Sequence, residues 1–380
     1  MEQADVVIVG AGIMGSSIAN YLAERGAGRI VVLERDQICQ GATADAAGGI
    51  RLQFSTKTNI ELSRLSLEIW ERFPERFGIA INFRQQGYLF LITDEAEIDV
   101  FRRNLAVQQR LGVPVQWLEP DEIHQLQPAI RLDDVIGGTY CPRDGWADTY
   151  SATMGMATGA RRNGVRIEEG KAVTAIEVEQ GIIKGVRCGD DVYAADRVIL
   201  CTGPQTNAVG RLAGVDLPVY PYRRMSFITE PFDSVSATSP MTIDFASGLY
   251  FHPESQGFLF GMSNPDEPAS EVKTVDDSWM VRTVEALCER APAFESATVL
   301  RGWAGFYEIT PDDNPILGEV DEVEGLYVAA GFSGHGFMQG PAIGMCIATL
   351  LAGERPPVDI SAFRPSRFRE GVLAQEHNVV

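Results

Sequence analysis

Short apolar runs and amphipathic stretches alternate along this chain. The runs cover residues 5–9, 30–33, 198–203 and 325–331. Their length and their content of Val, Ile and Leu are typical of buried strands. Between the first two runs, residues 16–25 have a helical pattern, and an apolar helix is expected over 342–351. Strands that alternate with helices predict an α/β fold.

A second, β-rich pattern separates these pieces. Residues 87–92 predict a strand, 95–110 a helix, and 164–188 three successive strands. From 219 to 260 the chain is rich in aromatic residues and β-like. Because α/β pieces lie at the start, the middle and the end, we expect a discontinuous Rossmann-like domain with a second domain, an antiparallel sheet, inserted into it.

The first βαβ unit carries a dinucleotide fingerprint. Gly10, Gly12 and Gly15 form G-x-G-x-x-G directly after the first strand, and Glu34 ends the second strand. The glycines permit the turn, a close backbone approach to a pyrophosphate, and tight packing of helix on strand. Glu34 can accept hydrogen bonds from an adenosine ribose. The fingerprint favours a dinucleotide over a plain glycine-rich turn, but it does not separate FAD from NAD.

Composition and charge narrow the possible partners. The chain has 380 residues and a formal charge of −20, which argues against nucleic acid and against an anionic membrane surface. The first strand begins near residue 5, which leaves no room for a signal peptide and predicts a cytoplasmic protein with free thiols. The six cysteines and four histidines show no metal-like spacing, so no metal site is expected.

Several segments resemble the D-amino acid oxidase-like family of FAD-dependent oxidoreductases. The segments are residues 1–34, 48–54, 198–204, 303–312 and 331–337. The stretch 66–128 is most similar to the branch of the sarcosine oxidase and proline dehydrogenase β subunits. The resemblance implies FAD and the oxidation of an amino acid at its C–N bond.

This resemblance also implies which parts of the chain form each domain. The expected FAD-binding domain covers residues 1–85, 142–218 and 313–380. The expected substrate-binding domain, with its antiparallel sheet, covers residues 86–141 and 219–312.

Four positions depart from the family pattern. Gly305 and Asp45 stand where monomeric sarcosine oxidases and dimethylglycine dehydrogenases attach FAD through cysteine and histidine, which implies non-covalent FAD. Met338 and Leu259 stand where sarcosine oxidases have lysines, one for the substrate carboxylate and one for oxygen activation. The second change favours a dehydrogenase over an oxidase.

The resemblance assigns four residues to catalysis. Arg51 aligns with the arginine that binds the substrate carboxylate, and the alternatives are a surface residue or an ion pair with an acid such as Glu61. Tyr250 and Tyr307 take substrate-facing positions, although either could be plain core. His335 could stack on or hydrogen-bond to the flavin, or it could only brace its loop.

The expected cofactor-binding residues lie in the fingerprint, in the strand ends and in the glycine-rich loop after residue 330. That loop precedes a helix, whose N-terminus would stabilise negative charge on the reduced flavin. The set is Gly10, Gly12, Gly15, Glu34, Arg35, Thr43, Gly49, Val173, Thr202, Gly203, Gly331, Gly334, His335, Gly336, Phe337 and Met338.

Together these features predict an enzyme that oxidises a small amino acid, such as sarcosine, proline or glycine, by hydride transfer to FAD. The electron acceptor is oxygen or another acceptor. One alternative is a β-like subunit of a larger dehydrogenase that passes electrons to a partner, and a homo-oligomer is also compatible. The other is a non-catalytic interaction subunit that keeps FAD for its structure.

Overall fold

The computed structural model describes residues 1–379. Within that range no helix combines the length and the apolar content that a bilayer-spanning segment requires.

The strands define four sheets. They are β1 (Glu2–Gln3), β2 (Val6–Val9), β3 (Ile30–Leu33), β4 (Gly49–Ile50), β5 (Tyr88–Ile92), β6 (Gln116–Leu118), β7 (Gly137–Cys141), β8 (Gly145–Trp146), β9 (Arg166–Glu168), β10 (Ala175–Glu179), β11 (Ile182–Cys188), β12 (Asp191–Ala194), β13 (Val198–Leu200), β14 (Tyr220–Thr229), β15 (Met241–Asp244), β16 (Leu249–Glu254), β17 (Gly257–Met262), β18 (Val299–Ile309), β19 (Ile316–Glu319) and β20 (Leu326–Ala330).

The α-helices occur in both parts of the structure. They are α1 (Ile13–Glu24), α2 (Ala42–Asp45), α3 (Lys57–Glu71), α4 (Phe73–Phe77), α5 (Glu95–Arg110), α6 (Pro120–Leu126), α7 (Thr149–Arg162), α8 (Thr206–Gly210), α9 (Asp277–Arg290), α10 (Gly336–Leu351) and α11 (Arg367–Glu370).

The first domain is built on a six-stranded sheet. Its order is β19-β20-β13-β2-β3-β9, and only β19 is antiparallel to its neighbour. Residues of β2 alternate between two cores. Val6 and Ile8 pack with the helices α1, α7 and α10, whereas Val7 and Val9 pack against the four-stranded sheet β1-β12-β11-β10. Burial on both faces explains why these strands are continuous apolar runs.

The second domain is built on an eight-stranded sheet with the order β18-β14-β17-β16-β15-β5-β7-β6. The α/β class with a substrate-domain sheet is confirmed, but this sheet is not wholly antiparallel, because β5 and β15 pair in parallel. These two strands come from separate stretches of chain, so no hairpin imposes their direction. All its strands lie within 86–141 and 219–312. The exact domain boundaries stay a prediction.

Helix α10 begins six residues before the position expected from sequence. Pro341 lies inside it and cannot donate a backbone hydrogen bond. Side chains of α3 satisfy neighbouring backbone groups: the Nε1–H of Trp70 donates to the carbonyl of Met338 at 2.9 Å, and the N–H of Ala342 donates to Ser66 Oγ at 3.0 Å. The helix therefore continues through the proline, and its N-terminus reaches back to Gly336.

A buried ion pair fastens α11 to the turn after β18. The guanidinium of Arg367 is 0% exposed and donates to both carboxylate oxygens of Asp312, at 2.8 and 2.9 Å. Its remaining donors reach the carbonyls of Phe363 and Asn314. All the groups of this cation are thus satisfied inside the protein.

We expect Asp312→Ala to lower the free energy of unfolding by about 3–5 kcal/mol, because it leaves a buried guanidinium unpaired. The exposed pair of Arg211 and Asp216 supplies the control, since Asp216→Ala should cost less than about 1 kcal/mol. Urea unfolding followed by circular dichroism measures both. If the two variants lost the same free energy of unfolding, the larger stabilisation expected from the buried pair would be wrong.

Candidate cofactor and substrate site

A cavity of about 520 Å³ lies between the two large sheets. One wall is formed by the carboxyl ends of β2 and β3 and by the loop after β13, and the other by residues of β14, β15, β16 and β18. This is the edge at which open α/β sheets bind ligands.

Most of the residues expected from sequence line this cavity. They are Gly10, Gly12, Glu34, Arg35, Thr43, Gly49, Arg51, Val173, Thr202, Gly203, Tyr250, Tyr307, Gly334, Gly336, Phe337 and Met338. Three others, Gly15, Gly331 and His335, are not among the lining residues.

The fingerprint loop presents backbone to the cavity. Gly10 has φ +102°, and a side chain there would collide with the carbonyl of Cys201. Gly12 is the N-cap of α1 and offers no capping side chain. The N–H of Ile13 donates to Thr43 Oγ1 at 3.3 Å, and the other N–H groups of the first turn are available to an anion in the cavity. Gly15 does not line the cavity; a side chain on it would collide with the carbonyl of Gly10, so the absence of a side chain permits close packing at this turn.

Glu34 is fixed by backbone groups at the end of β3. Its Oε2 accepts from the N–H of Ala11 at 2.7 Å, and its Oε1 accepts from the N–H of Asp36 at 3.0 Å. The carboxylate is thereby oriented before any ligand arrives. Because it also lines the cavity, its remaining lone pairs can accept from ribose hydroxyls.

A second helix N-terminus points into the same cavity. Helix α10 begins at Gly336 without a side-chain cap, and the residues of its first turn line the wall. Gly334 has φ +92°, and a side chain there would strike the ring of Tyr307. Gly331 has a structural role instead: its N–H donates to Glu308 Oε2 at 2.8 Å.

His335 does not line the cavity. Its ring is 1% exposed and packs edge-on against Phe54 at a centroid distance of 5.3 Å. Burial, and then the nearby charge of Arg51, hold the pKa of His335 well below its usual value, so the imidazole is neutral. Aromatic packing thus holds the ring outside the cavity wall, and the role of His335 stays a prediction.

Arg51 is neither a surface residue nor paired with Glu61, which pairs with Lys57 instead. It lines the cavity and is 6% exposed. Its Nη1 donates to the carbonyl of Gln53 at 2.7 Å, its Nη2 donates to the carbonyl of Asn378, and its guanidinium lies 4.1 Å from the centre of the Phe54 ring. Segment 374–379 therefore helps to hold this cation in place.

Tyr250 and Tyr307 stand on the opposite wall. The hydroxyl of Tyr250 lies 2.9 Å from Ser226 Oγ, and the ring of Tyr307 packs under the guanidinium of Arg224. Burial raises the pKa of both phenols. Both therefore stay protonated near neutral pH and can donate hydrogen bonds to a ligand.

Besides Asp36 and Lys171, which also line the cavity, three further charged residues at the wall were missed by sequence reasoning. Arg224 lines the cavity from β14, Glu308 lines it from β18, and Lys273 reaches the wall through an ion pair of 2.6 Å with Asp45. Burial raises the pKa of Glu308 to about 7. The period of two along β14 places Tyr222, Arg224 and Ser226 on one face, which is the signal that could have indicated Arg224.

Leu259, the position expected to bear on oxygen activation, is buried and is not part of the cavity wall.

Gly305 and Asp45 both line the cavity and lie together, because a Cβ on Gly305 would be 2.5 Å from the Cβ of Asp45. The described residues contain no cluster of three or more His, Cys, Asp or Glu side chains suited to a metal ion.

Two uncapped helix N-termini, an oriented acid and an opposite wall of tyrosine and arginine define a dinucleotide-dependent oxidoreductase. The profile of the DAO family, described as "FAD dependent oxidoreductase", matches residues 5–350, and the chain belongs to this family. The cofactor is therefore FAD. The α1 terminus and Glu34 suit its pyrophosphate and ribose, and the α10 terminus suits its ring.

Individual relatives agree with the family assignment. The chain is 28% identical to mitochondrial dimethylglycine dehydrogenase of Rattus norvegicus. The match covers 98% of this chain but only 46% of the rat protein, so the chain spans about half the length of that relative. Its fold is similar to that of L-proline dehydrogenase from P. horikoshii, with a TM-score of 0.93, 33% identity, and coverage of 98% of this chain and 100% of the other. Glycine oxidase from Geobacillus kaustophilus follows, with a TM-score of 0.86, 26% identity, and coverage of 97% and 99%.

We expect acid or heat to release the flavin into the supernatant. Neither Gly305 nor Asp45 carries a thiol or an imidazole. Cys201 is the only cysteine that lines the cavity within residues 1–379, and no histidine does so there. Burial raises the pKa of the Cys201 thiol, which keeps it in its unreactive form. The absorbance of the supernatant and of the precipitate measures release, with Cys201→Ser as control. Flavin that stays with the precipitate would show a covalent bond.

Proposed function

We propose that this protein oxidises a small amino acid at its C–N bond, with proline-like, glycine-like and N-methylated glycine substrates first. The observation that supports this most directly is the cavity itself. Expected flavin-binding backbone, the buried Arg51 and the phenols of Tyr250 and Tyr307 all line it, and this supports the proposal. Relatives named for proline, glycine and dimethylglycine support the same substrate class.

FAD, when bound, accepts the hydride from the substrate carbon. The chain's own groups bind and orient the amino acid. Arg51 binds the carboxylate through its charge and its free N–H groups. Tyr250 and Tyr307 donate hydrogen bonds, and the buried walls exclude water from the reacting carbon. The cations Arg51 and Arg224, which both line the cavity, lower the pKa of a bound amine and favour the neutral form that gives up hydride.

We further propose that the electrons leave to an acceptor other than oxygen, which includes a partner subunit. The first electron that reaches oxygen makes an anion, and a nearby ammonium would stabilise it. Leu259 offers no such charge. Lys273 stands at the wall, but Asp45 compensates its charge at 2.6 Å. The cytoplasmic location expected from sequence stays a prediction.

The test is an anaerobic screen of the purified flavoprotein with proline, sarcosine, glycine and dimethylglycine, followed by absorbance near the flavin maximum. We expect at least one of them to bleach the flavin, and an artificial dye to reoxidise it faster than air does. If no compound in a wide series of amines bleached the flavin, the proposed oxidation would be rejected in favour of the alternative, a non-catalytic subunit that binds flavin. Reoxidation by air that outpaces the dye would make the protein an oxidase.

Arg51→Ala should raise KM for carboxylated amines by the equivalent of about 2–5 kcal/mol, because a charged hydrogen-bond donor is lost. Arg51→Lys should be less severe, since it keeps the charge but loses the planar fork. Amines without a carboxylate are the control and should change little. Equal losses with and without the carboxylate would assign Arg51 a structural role, through its bonds to Gln53 and Asn378.

A further inference from the structure

Arg224 is a half-buried cation with most of its donors unused. It lies on β14 and lines the cavity. Its Nη1 donates to the carbonyl of Arg223 at 3.0 Å, and its buried Nε has no hydrogen-bond partner among the described residues. A guanidinium carries five N–H groups. The side chain therefore presents unsatisfied donors at the wall of a cavity.

The charge of Arg224 is also uncompensated. Glu267 is the carboxylate that acts electrostatically on Arg224. Both of its oxygens, however, already accept hydrogen bonds from Arg223, at 2.9 and 3.1 Å. No carboxylate in the described part of the chain forms an ion pair with Arg224. Burial without a counter-charge is costly, and burial accordingly lowers the pKa of this guanidinium.

Arg51 differs from Arg224 in both respects. Two carbonyl groups already accept from it, and the acids Glu376 and Asp144 lie within its electrostatic reach. The two arginines are nevertheless parts of one site. The positive charge of each lowers the pKa of the Tyr307 hydroxyl, against the larger effect of burial, which raises it. Arg224 is thus the less satisfied of the two cations that flank Tyr307.

An anion is the kind of ligand that this arrangement of groups would bind. The guanidinium carbon of Arg224 lies 5.1 Å from the ring centre of Tyr307, and Ser226 and Tyr250, on the same wall, are joined by a hydrogen bond of 2.9 Å. A carboxylate that enters here would meet a planar charged fork and phenol hydroxyls. It would satisfy the donors and neutralise the charge together.

We propose that Arg224 is a carboxylate anchor of the substrate site, in addition to Arg51, and that it makes the enzyme selective for amines that carry a carboxylate. This inference rests on the proposed function, since it names a group that selects the substrate. It predicts that the site binds simple carboxylates even when they cannot be oxidised.

The test uses the FAD-loaded protein and two probes, acetate and its neutral counterpart acetamide. Neither is oxidised, so binding is followed by the shift of the flavin absorbance and is independent of turnover. The variants are Arg224→Met, which removes the charge, and Arg224→Lys, which keeps it. Arg301→Met is the matched control, because Arg301 is an exposed arginine on the neighbouring strand β18 and does not line the cavity.

We expect Arg224→Met to weaken acetate binding by at least about tenfold, with acetamide unchanged. Arg224→Lys should recover part of the loss, and the control should match the unmodified protein. Unchanged acetate binding in Arg224→Met would overturn the inference, as would equal loss for acetate and acetamide. A failure of every amine to bleach the flavin would reject the proposed function but leave this binding result intact.

Discussion

The contact on which the site depends most is the one between Glu308 and the loop that begins α10. Glu308 belongs to the last strand of the eight-stranded sheet, and its carboxylate accepts from the N–H of Gly331 at 2.8 Å, while its carbonyl accepts from the N–H of Ser333 at 3.0 Å. The substrate wall and the helix N-terminus behind the flavin position are thus tied together by two bonds. A shift of one wall would carry the other with it, so the spacing across the cavity is fixed by the fold.

Local signals in the sequence predicted the first βαβ unit. Gly10, Gly12 and Glu34 are close in sequence, so the pattern alone brought them to one place, and all three line the cavity. The residue at which α10 begins could not be predicted from the local sequence. Pro341 is a normal stop signal, and only Ser66 and Trp70, which are distant in sequence, make the helix possible across it.

The substrate half was less predictable for a related reason. Sequence alternation groups Tyr222, Arg224 and Ser226 on one face of β14, but it does not say which face meets the cavity. The aromatic shell of His335 is another long-range effect, since Phe54 comes from a different part of the chain. Family resemblance located Arg51, yet its bond to Asn378 depends on a segment more than three hundred residues away.

The neighbouring positions of Gly305 and Asp45 restrict how this scaffold can acquire a flavin bond. The family resemblance implies that these two positions are the points of covalent attachment in other members, one on a strand and one on a short helix. A Cβ on Gly305 would lie 2.5 Å from the Cβ of Asp45, which is closer than two such atoms can approach. A side chain from the strand can enter only if the helix withdraws. Side chains that extend into the cavity from both positions therefore exclude each other sterically in this backbone.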